Sequence, residues 1–337
     1  MPISHHGGHK SPVITEDQVA VICPTKNQPQ KVKRLLVNIC SLKSTPGQII
    51  IADCGDNLKP LVDQYTKLLN LTCLHCPEPG QVLQRNHARK YLSNDIRIVL
   101  HIDDDNTFKP DALDKLLEFW NRESTSKNLR QLAGVSFNVV DLPKLKDSFF
   151  RRVTFLGTEP PGSISLGGYA RPFSPTDHNS ETSWLLGGST AWSRDILDRY
   201  AHPIDFPTNW AVCEDLIYSY PIGKNYRLMI TKDAIAFHNE TYDDFTLSKS
   251  IFYGLSSSIM RYFFVASNTE FSKLAFYWMT ICIAFRHLAY ALFGKKKHAG
   301  LFFGMILGLT KILWGAVLKT PAKRLAQNLP NSIFAKR

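Results

Sequence analysis

The chain of 337 residues carries 40 Lys and Arg against 29 Asp and Glu, a net charge of +11, and is 44% hydrophobic and 20% charged. That balance excludes a disordered or low-complexity chain, and the length suits one large domain with an appendage or two modest domains. The charge is uneven: Thr246 to Arg337 hold thirteen basic residues and one acid, Glu270, a balance of +12 that leaves residues 1–245 at −1. A basic segment that is also rich in Leu, Phe, Ile and Trp suits an anionic membrane surface better than nucleic acid.

The first ten residues, MPISHHGGHK, have no apolar core of a secretory signal, and residues 1–15 read as a flexible leader. Val19 to Cys23 form an apolar run stopped by Pro24 and predict a buried strand. Val32, Leu35, Leu36, Ile39 and Leu42 then recur at helical spacing. Ile49 to Ala52 predict a second strand, closed by the turn-rich DCGDN. Leu58, Leu61, Val62, Tyr65, Leu68 and Leu69 predict a second helix, Thr72 to His75 a third strand, and Val82 to Leu92 a third helix. Arg97 to Ile102 predict a fourth strand, followed by a helix opened by Pro110 with Leu113, Leu116, Leu117 and Trp120 inward.

Strands alternating with helices imply an α/β fold with a mostly parallel sheet covered on both faces. Ligands in such sheets bind beyond the carboxyl ends of the strands. Three polar clusters fall there: PTKN (24–27), ADCGDN (52–57) and DDDN (103–106). Residues 157–183 are dense in Gly, Pro, Ser and Thr, too long for a simple connector, and read as a binding loop or lid. LLGGSTAWSRDIL, a helical CEDLIYSY and two strand-like runs, Arg227–Ile230 and Ile235–His238, follow.

Asp103, Asp104 and Asp105 close an apolar strand. If the extended backbone continues through them, Asp103 and Asp105 converge while Asp104 faces elsewhere. Two convergent carboxylates call for a hard divalent cation, Mg²⁺ or Mn²⁺, that also bridges substrate phosphates; a plain helix cap is the competing reading. Glu214 and Asp215 stand in an apolar context, where burial raises a carboxyl pKa and suits a general base. His238 ends another strand-like run and is a candidate third metal ligand, while Arg85, Asn86 and Arg89 are placed to reach phosphates. The seven cysteines are odd in number and scattered, and the Cys73–Cys76 spacing has no second pair, so reduced thiols of a cytoplasmic protein are expected.

In this order the segments from Val19 to Asp244 resemble the family 2 group of inverting glycosyltransferases with the GT-A fold. VICPTKNQ resembles its opening strand and nucleotide loop, with Pro24, Thr25 and Asn27 at the donor. IIIADCGDN is similar to its second-strand segment, which brings Asp53 to the nucleobase. LQRNHARK resembles its A-R-N-x-G stretch, carrying Arg85 and Asn86, and HIDDDNTFKPDAL its D-x-D segment, carrying Asp103, Asp104 and Asp105. GGSTAWSRDIL is similar to the acceptor-side element, with Gly187, Gly188 and Ser189, and CEDLIYSY to the E-D motif that provides the base. Lys26, Cys54, His87 and Arg89 depart from the family pattern, and no Q-x-x-R-W of processive members is present.

The resemblance implies transfer of one sugar, hexosyl or N-acetylhexosaminyl, from a UDP-sugar to a hydroxyl of a membrane-linked glycan or lipid-linked acceptor. Asp215 would act as general base beside Glu214, and Mn²⁺ or Mg²⁺ would sit on Asp103, Asp105 and His238. A nucleotidyltransferase would want a glycine-rich phosphate loop, and PTKNQPQK has no glycine. A non-enzymatic basic adaptor leaves the carboxylates without a role.

Leu274 to Phe293 and Ala299 to Leu318 are apolar and long enough to cross a bilayer. Arg286, His287 and Lys311 interrupt them, and Lys295–Lys297 lie between them, so helices in the interface plane at the cytoplasmic face are expected ahead of a crossing hairpin. Gly300, Gly304 and Gly308 predict close helix contact on one face. The division expected is 1–15 leader, 16–245 catalytic domain and 246–337 membrane-associating helices. On that division, cutting after about Ser272 should yield a soluble protein.

Overall fold

The computed structural model of the chain describes residues 13–55, 57–126, 128–143, 148–156, 160–201, 212–239 and 246–329. Residues 1–12 of the expected leader, Asp56 of DCGDN, residues 157–159 of the loop, residues 209–211 before Val212 and the 245/246 boundary lie outside them.

The chain opens with β1 (Val19–Thr25), α1 (Pro29–Cys40), β2 (Gln48–Asp53), α2 (Lys59–Val62), β3 (Leu71–His75), α3 (Gln81–Arg89) and β4 (Ile98–Ile102). Each of β1, β2 and β4 is buried along its whole length, as continuous apolar runs in a covered parallel sheet should be. On α1, Val32, Leu35, Leu36 and Ile39 form the buried stripe, each contributing roughly 1.5–3 kcal/mol by leaving water. The expected second helix is a single helical turn, Lys59–Val62. From Gln64 the backbone bonds tighten to i→i−3, Gln64 to Leu61 and Tyr65 to Val62, and Leu68 is left exposed.

Next come β5 (Asn106–Phe108), α4 (Ala112–Ser124), β6 (Leu132–Val139), α5 (Phe149–Val153), β7 (Ser180–Glu181), β8 (Ser189–Ser193), α6 (Arg194–Arg199), α7 (Glu214–Asn225) and β9 (Arg227–His238). The two strand-like runs at 227–238 are one strand. The sheet is mixed and flanked by helices, in the order β3-β2-β1-β4-β8-β6-β9-β5, with β7 beside β9. Its β3-β2-β1-β4 half is parallel, as expected. Beyond β4 the pairings with β8 are antiparallel, β6 and β9 are parallel, and β5 and β7 run antiparallel to β9.

The rest is helical: α8 (Leu247–Ser267), α9 (Lys273–Leu292), α10 (Lys296–Val317) and α11 (Ala322–Gln327). The sequence reading missed α8, on which the others rest. Gly300 and Gly304 of α10 lie so close to α8 that a Cβ would stand 2.6 Å from Leu247 O and 2.1 Å from Ile251 O. The expected glycine face therefore packs on α8. These helices share a core with the sheet, since Leu255, Phe264, Phe276 and Met279 join the buried cluster that holds Trp184, Leu216 and Ile222. Deleting residues after Ser272 would remove part of that core, Phe276 and Met279 included, so the cut falls inside a packed unit.

Two helices, Lys273–Leu292 and Lys296–Val317, are long and apolar enough to cross a membrane, and are candidate membrane-associating segments. Their outer faces expose Phe285, Leu292, Phe293, Leu307, Trp314 and Leu318.

Candidate active site

The carboxyl ends of β1 and β4 open on a cavity of about 890 Å³. Pro24, Thr25, Asp103, Asp104, Asp105, Gly187, Gly188, Ser189, Glu214, Asp215 and His238 line it together, from five separate segments of the chain. Gly168, Tyr169 and Ala170 of the Gly- and Pro-rich loop reach its wall.

All three aspartates of the DDD run line the cavity, so Asp104 does not face away. β4 ends at Ile102, and a turn follows in which Asn106 N donates to Asp103 O at 3.2 Å, so strand alternation does not extend to these residues. Asp103 accepts from Arg85 Nη2 at 2.9 Å and from Gln81 Nε2 at 2.5 Å. Asp104 accepts from Thr25 Oγ1 at 2.5 Å, and Lys31 Nζ lies 4.0 Å from Asp104 and 3.9 Å from Asp105. Asp105 faces His238, Oδ1 to Nε2 3.8 Å, and this buried oxygen has no hydrogen-bond partner. Burial, reinforced by the charge of Asp103, lifts the Asp105 carboxyl to about 6.

An orphaned carboxylate oxygen beside an imidazole is a donor set that suits Mn²⁺ or Mg²⁺. Asp105 and His238 would be the residues to hold such an ion. Asp103, expected as a further ligand, is committed to Arg85 and Gln81. Among the described residues no three His, Cys, Asp or Glu side chains form a ready metal cage.

Arg85 is fully buried, does not line the cavity, and spans two carboxylates, Asp103 on one side and Glu214 on the other, 2.9 Å from each. It is an internal counter-ion, in contrast to the expected phosphate contact. Asn27, Asp53 and Asn86 do not line the cavity either, and Asn27 is exposed. Asn27 has a left-handed backbone, φ 55°, and Asp53 ends β2 opposite Thr25.

Glu214 and Asp215 open α7 behind Cys213, itself in the left-handed region at φ 61°. Burial pushes Glu214 up to about 7 against the opposing pull of Arg85. Burial likewise pushes Asp215 up to about 6, although its Oδ1 accepts from Leu216 N at 2.8 Å. Gly187 and Gly188 let these walls close: a Cβ on Gly187 would stand 2.4 Å from Glu214 Oε1, and one on Gly188 2.0 Å from Asp103 Oδ2. Gly188 O also accepts from Asp103 N at 3.0 Å and from Asn106 Nδ2.

Sequence reasoning missed Gln84, whose buried amide donates to Thr25 O at 2.7 Å and Ala52 O at 2.6 Å, tying β1 and β2 to α3. It also missed Lys31 on α1, and the cavity wall supplied by α8, α9 and α10 through Lys249, Arg261, Ile283, Arg286 and Met305. Lys31 lies one turn past the PTKN loop, a signal that could have found it. All seven cysteines are free thiols, Cys73 and Cys76 included.

A mixed, helix-flanked sheet with an acidic cleft at its carboxyl ends defines a protein with the GT-A kind of fold. Residues 20–156, from β1 through α5, match the family model described as Glycosyl transferase family 2. The mannosyltransferase PcManGT from Pyrobaculum calidifontis, solved with GDP-Man and Mn²⁺, is similar in structure, with TM-score 0.51 and 16% identity over 95% of this chain and 88% of that one. GalNAc-T7, solved with UDP, GalNAc and Mn²⁺, has TM-score 0.57 and 13% identity over 90% of this chain and 58% of its own. No curated protein matches the sequence.

Proposed function

We propose that the chain is a metal-dependent inverting glycosyltransferase that moves one sugar from a nucleotide-sugar donor, a UDP-sugar, to a hydroxyl of a membrane-linked glycan or lipid-linked acceptor. The observation that carries this reading is the facing of Asp103–Asp105 and Glu214–Asp215 across one cavity at the carboxyl ends of parallel strands. The family match over residues 20–156 and the two solved neighbours, each holding a nucleotide or nucleotide sugar with Mn²⁺, support it.

In this reading the nucleotide lies against Pro24 and Thr25, and its diphosphate meets Lys31 beside Asp104 and Asp105. Asp105 and His238 would hold Mn²⁺ or Mg²⁺, which would supply positive charge for the departing diphosphate. Arg85 holds Asp103 and Glu214 in place, and Asp103 in turn borders the Gly187–Gly188 edge where the acceptor enters. Asp215 takes the proton of the acceptor hydroxyl as its oxygen attacks the anomeric carbon from the face opposite the diphosphate. The bond to the diphosphate breaks in the same displacement, so configuration inverts without a covalent enzyme intermediate. A carboxyl near 6 is ionised at neutral pH and basic enough to accept that proton.

The apolar outer faces of α9 and α10 and the basic C-terminal segment support a site of action at the cytoplasmic face of a membrane, in the assembly of a lipid-linked or cell-surface glycan. Calorimetric titration with UDP and GDP, with and without Mn²⁺, tests the reading. It expects binding that depends on the metal; absence of binding by either nucleotide under both conditions overturns it.

A further inference from the structure

We propose that Arg261 and Arg286 form an acceptor subsite for a phosphoryl group borne on a lipid. This rests on the glycosyltransferase reading and names the chemistry of its acceptor. Both cations line the cavity that holds the carboxylates, and they come from α8 and α9, outside the segment that matches the family model.

Among the described residues no carboxylate lies within 4.0 Å of the guanidinium of Arg261 or Arg286. The Nε atom of each is buried without a hydrogen-bond partner. Arg261 lies over the Tyr169 ring, 6.0 Å from its centroid, and against the Cys213 thiol at the start of α7. Its charge is therefore carried to the helix end that presents Asp215.

The described acids of the cavity form no ion pair with Arg261 or Arg286: Asp103 and Glu214 share Arg85, Asp104 accepts from Thr25, Asp105 stands between Lys31 and His238, and Asp215 accepts from Leu216 N. A cation partly buried within an apolar helix favours a counter-charge, and for Arg286, half-buried in the second half of α9, an anion from outside would supply it. On the proposed reading the donor diphosphate meets Lys31 on the β1 side, near Asp105 and His238, which would hold a metal, and this leaves the α8–α9 side to the acceptor.

The surroundings of Arg286 decide what carries the anion. Ile283 and Met305 line the same wall, while Phe285, Ile306 and Leu307 are exposed on the outer faces of α9 and α10. A phosphoryl group at Arg261 and Arg286 thus sits where an acyl or isoprenyl chain would run along an apolar wall toward a membrane-facing surface. A free phosphate would gain nothing from that wall.

Titration of the full chain with n-dodecyl phosphate, inorganic phosphate and n-dodecyl maltoside tests this. Dodecyl phosphate should bind at least about tenfold more tightly than either inorganic phosphate or the maltoside, since both the charge and the chain are recognised. Arg261→Gln and Arg286→Gln should each weaken it about tenfold, with Arg286→Lys retaining most of the affinity, while Mn²⁺-dependent UDP binding stays within about twofold.

Unchanged dodecyl phosphate affinity in both Gln variants overturns the subsite. A parallel loss of UDP affinity assigns the cations to the donor and also overturns it. Equal affinity for inorganic phosphate overturns the lipid origin. If UDP fails to bind the unaltered chain, the glycosyltransferase reading falls, whereas the dodecyl phosphate arm still reports on the cations.

Discussion

Asp103 and Glu214, 111 positions apart in the sequence, are held by one guanidinium: Arg85, fully buried, stands 2.9 Å from each. Removing it strands two carboxylates in the wall of the cleft. Arg85→Met should cost about 3–5 kcal/mol in urea denaturation, and the loss should deepen as pH rises through about 7 and Glu214 ionises. Glu214→Gln keeps an acceptor for Arg85 and should stay within about 1 kcal/mol. Equal stability of Arg85→Met and the unaltered chain would remove the counter-ion role.

Asp215 should give activity and stability opposite responses to pH. As a base it works when ionised, so kcat/KM should climb through about pH 6 and level off above it. Its folded pKa is raised above the ordinary 3.8, so its contribution to stability is present below about pH 4 and is lost as pH rises through about 6. Asp215→Asn should lower transfer by at least about 10²-fold, leave UDP affinity near normal and raise Tm at pH 7.5. A pH–rate profile unchanged in Asp215→Asn would place the base elsewhere.

The metal assignment predicts a pair of effects. Asp105→Ala and His238→Ala should each weaken Mn²⁺-dependent UDP binding at least about tenfold while leaving metal-free binding alone. Asp103→Ala should weaken it less and destabilise the fold more, because Asp103 is one of the two counter-ions of Arg85. Titration calorimetry against Mn²⁺–UDP separates the two, and wild-type affinity in both Asp105→Ala and His238→Ala ends the assignment.

Gly188 is a sharper geometric test. A Cβ there would fall 2.0 Å from Asp103 Oδ2, and the backbone cannot withdraw because Gly188 O receives Asp103 N. Gly188→Ala should therefore displace Asp103 and cut transfer by about 10²-fold, with little change in far-UV circular dichroism. Full activity would mean that the Asp103 carboxylate need not be held where it is.

The outer helical faces can be tested without cutting the chain. Phe285→Glu and Trp314→Glu lie on exposed positions and should reduce co-sedimentation with anionic vesicles while leaving Tm within about 2 °C. Deletion after Ser272 should instead give insoluble protein, since Phe276, Met279 and Ile312 leave the core with it. Unaltered vesicle binding by both point variants would place the membrane contact elsewhere.

The parallel half of the sheet was legible because β1, β2 and β4 are apolar runs followed by polar turns, as at Asp103, although β1 continues through Pro24 to Thr25. Gathering Asp103, Asp105, Asp215 and His238 in one cleft followed from strand-end logic and from the family resemblance. Arg85 was misread because its partners are 18 and 129 residues away, and a local pattern of basic and polar groups does not reveal a buried counter-ion. Helix α8 was missed for another reason. Its interior carries Gly254 and Ser256–Ser258 where it meets the glycines of α10, and small residues at a close helix crossing do not announce themselves as an apolar stripe. Arg286 was noticed only as an obstacle to crossing a membrane, whereas it lines the cavity.

Helices α9 and α10 are walls with two sides: Ile283, Arg286 and Met305 line the chamber, and Phe285 and Leu307 look outward from the same turns. Because Gly300 and Gly304 lock α10 against α8 at backbone distance, the wall yields as a unit, with no slack between its inner and outer surfaces. Lateral pressure on the outer face is therefore transmitted directly to the width of the cleft. On the proposed reading, with that outer face against a bilayer, turnover should track the physical state of the lipid as well as its charge.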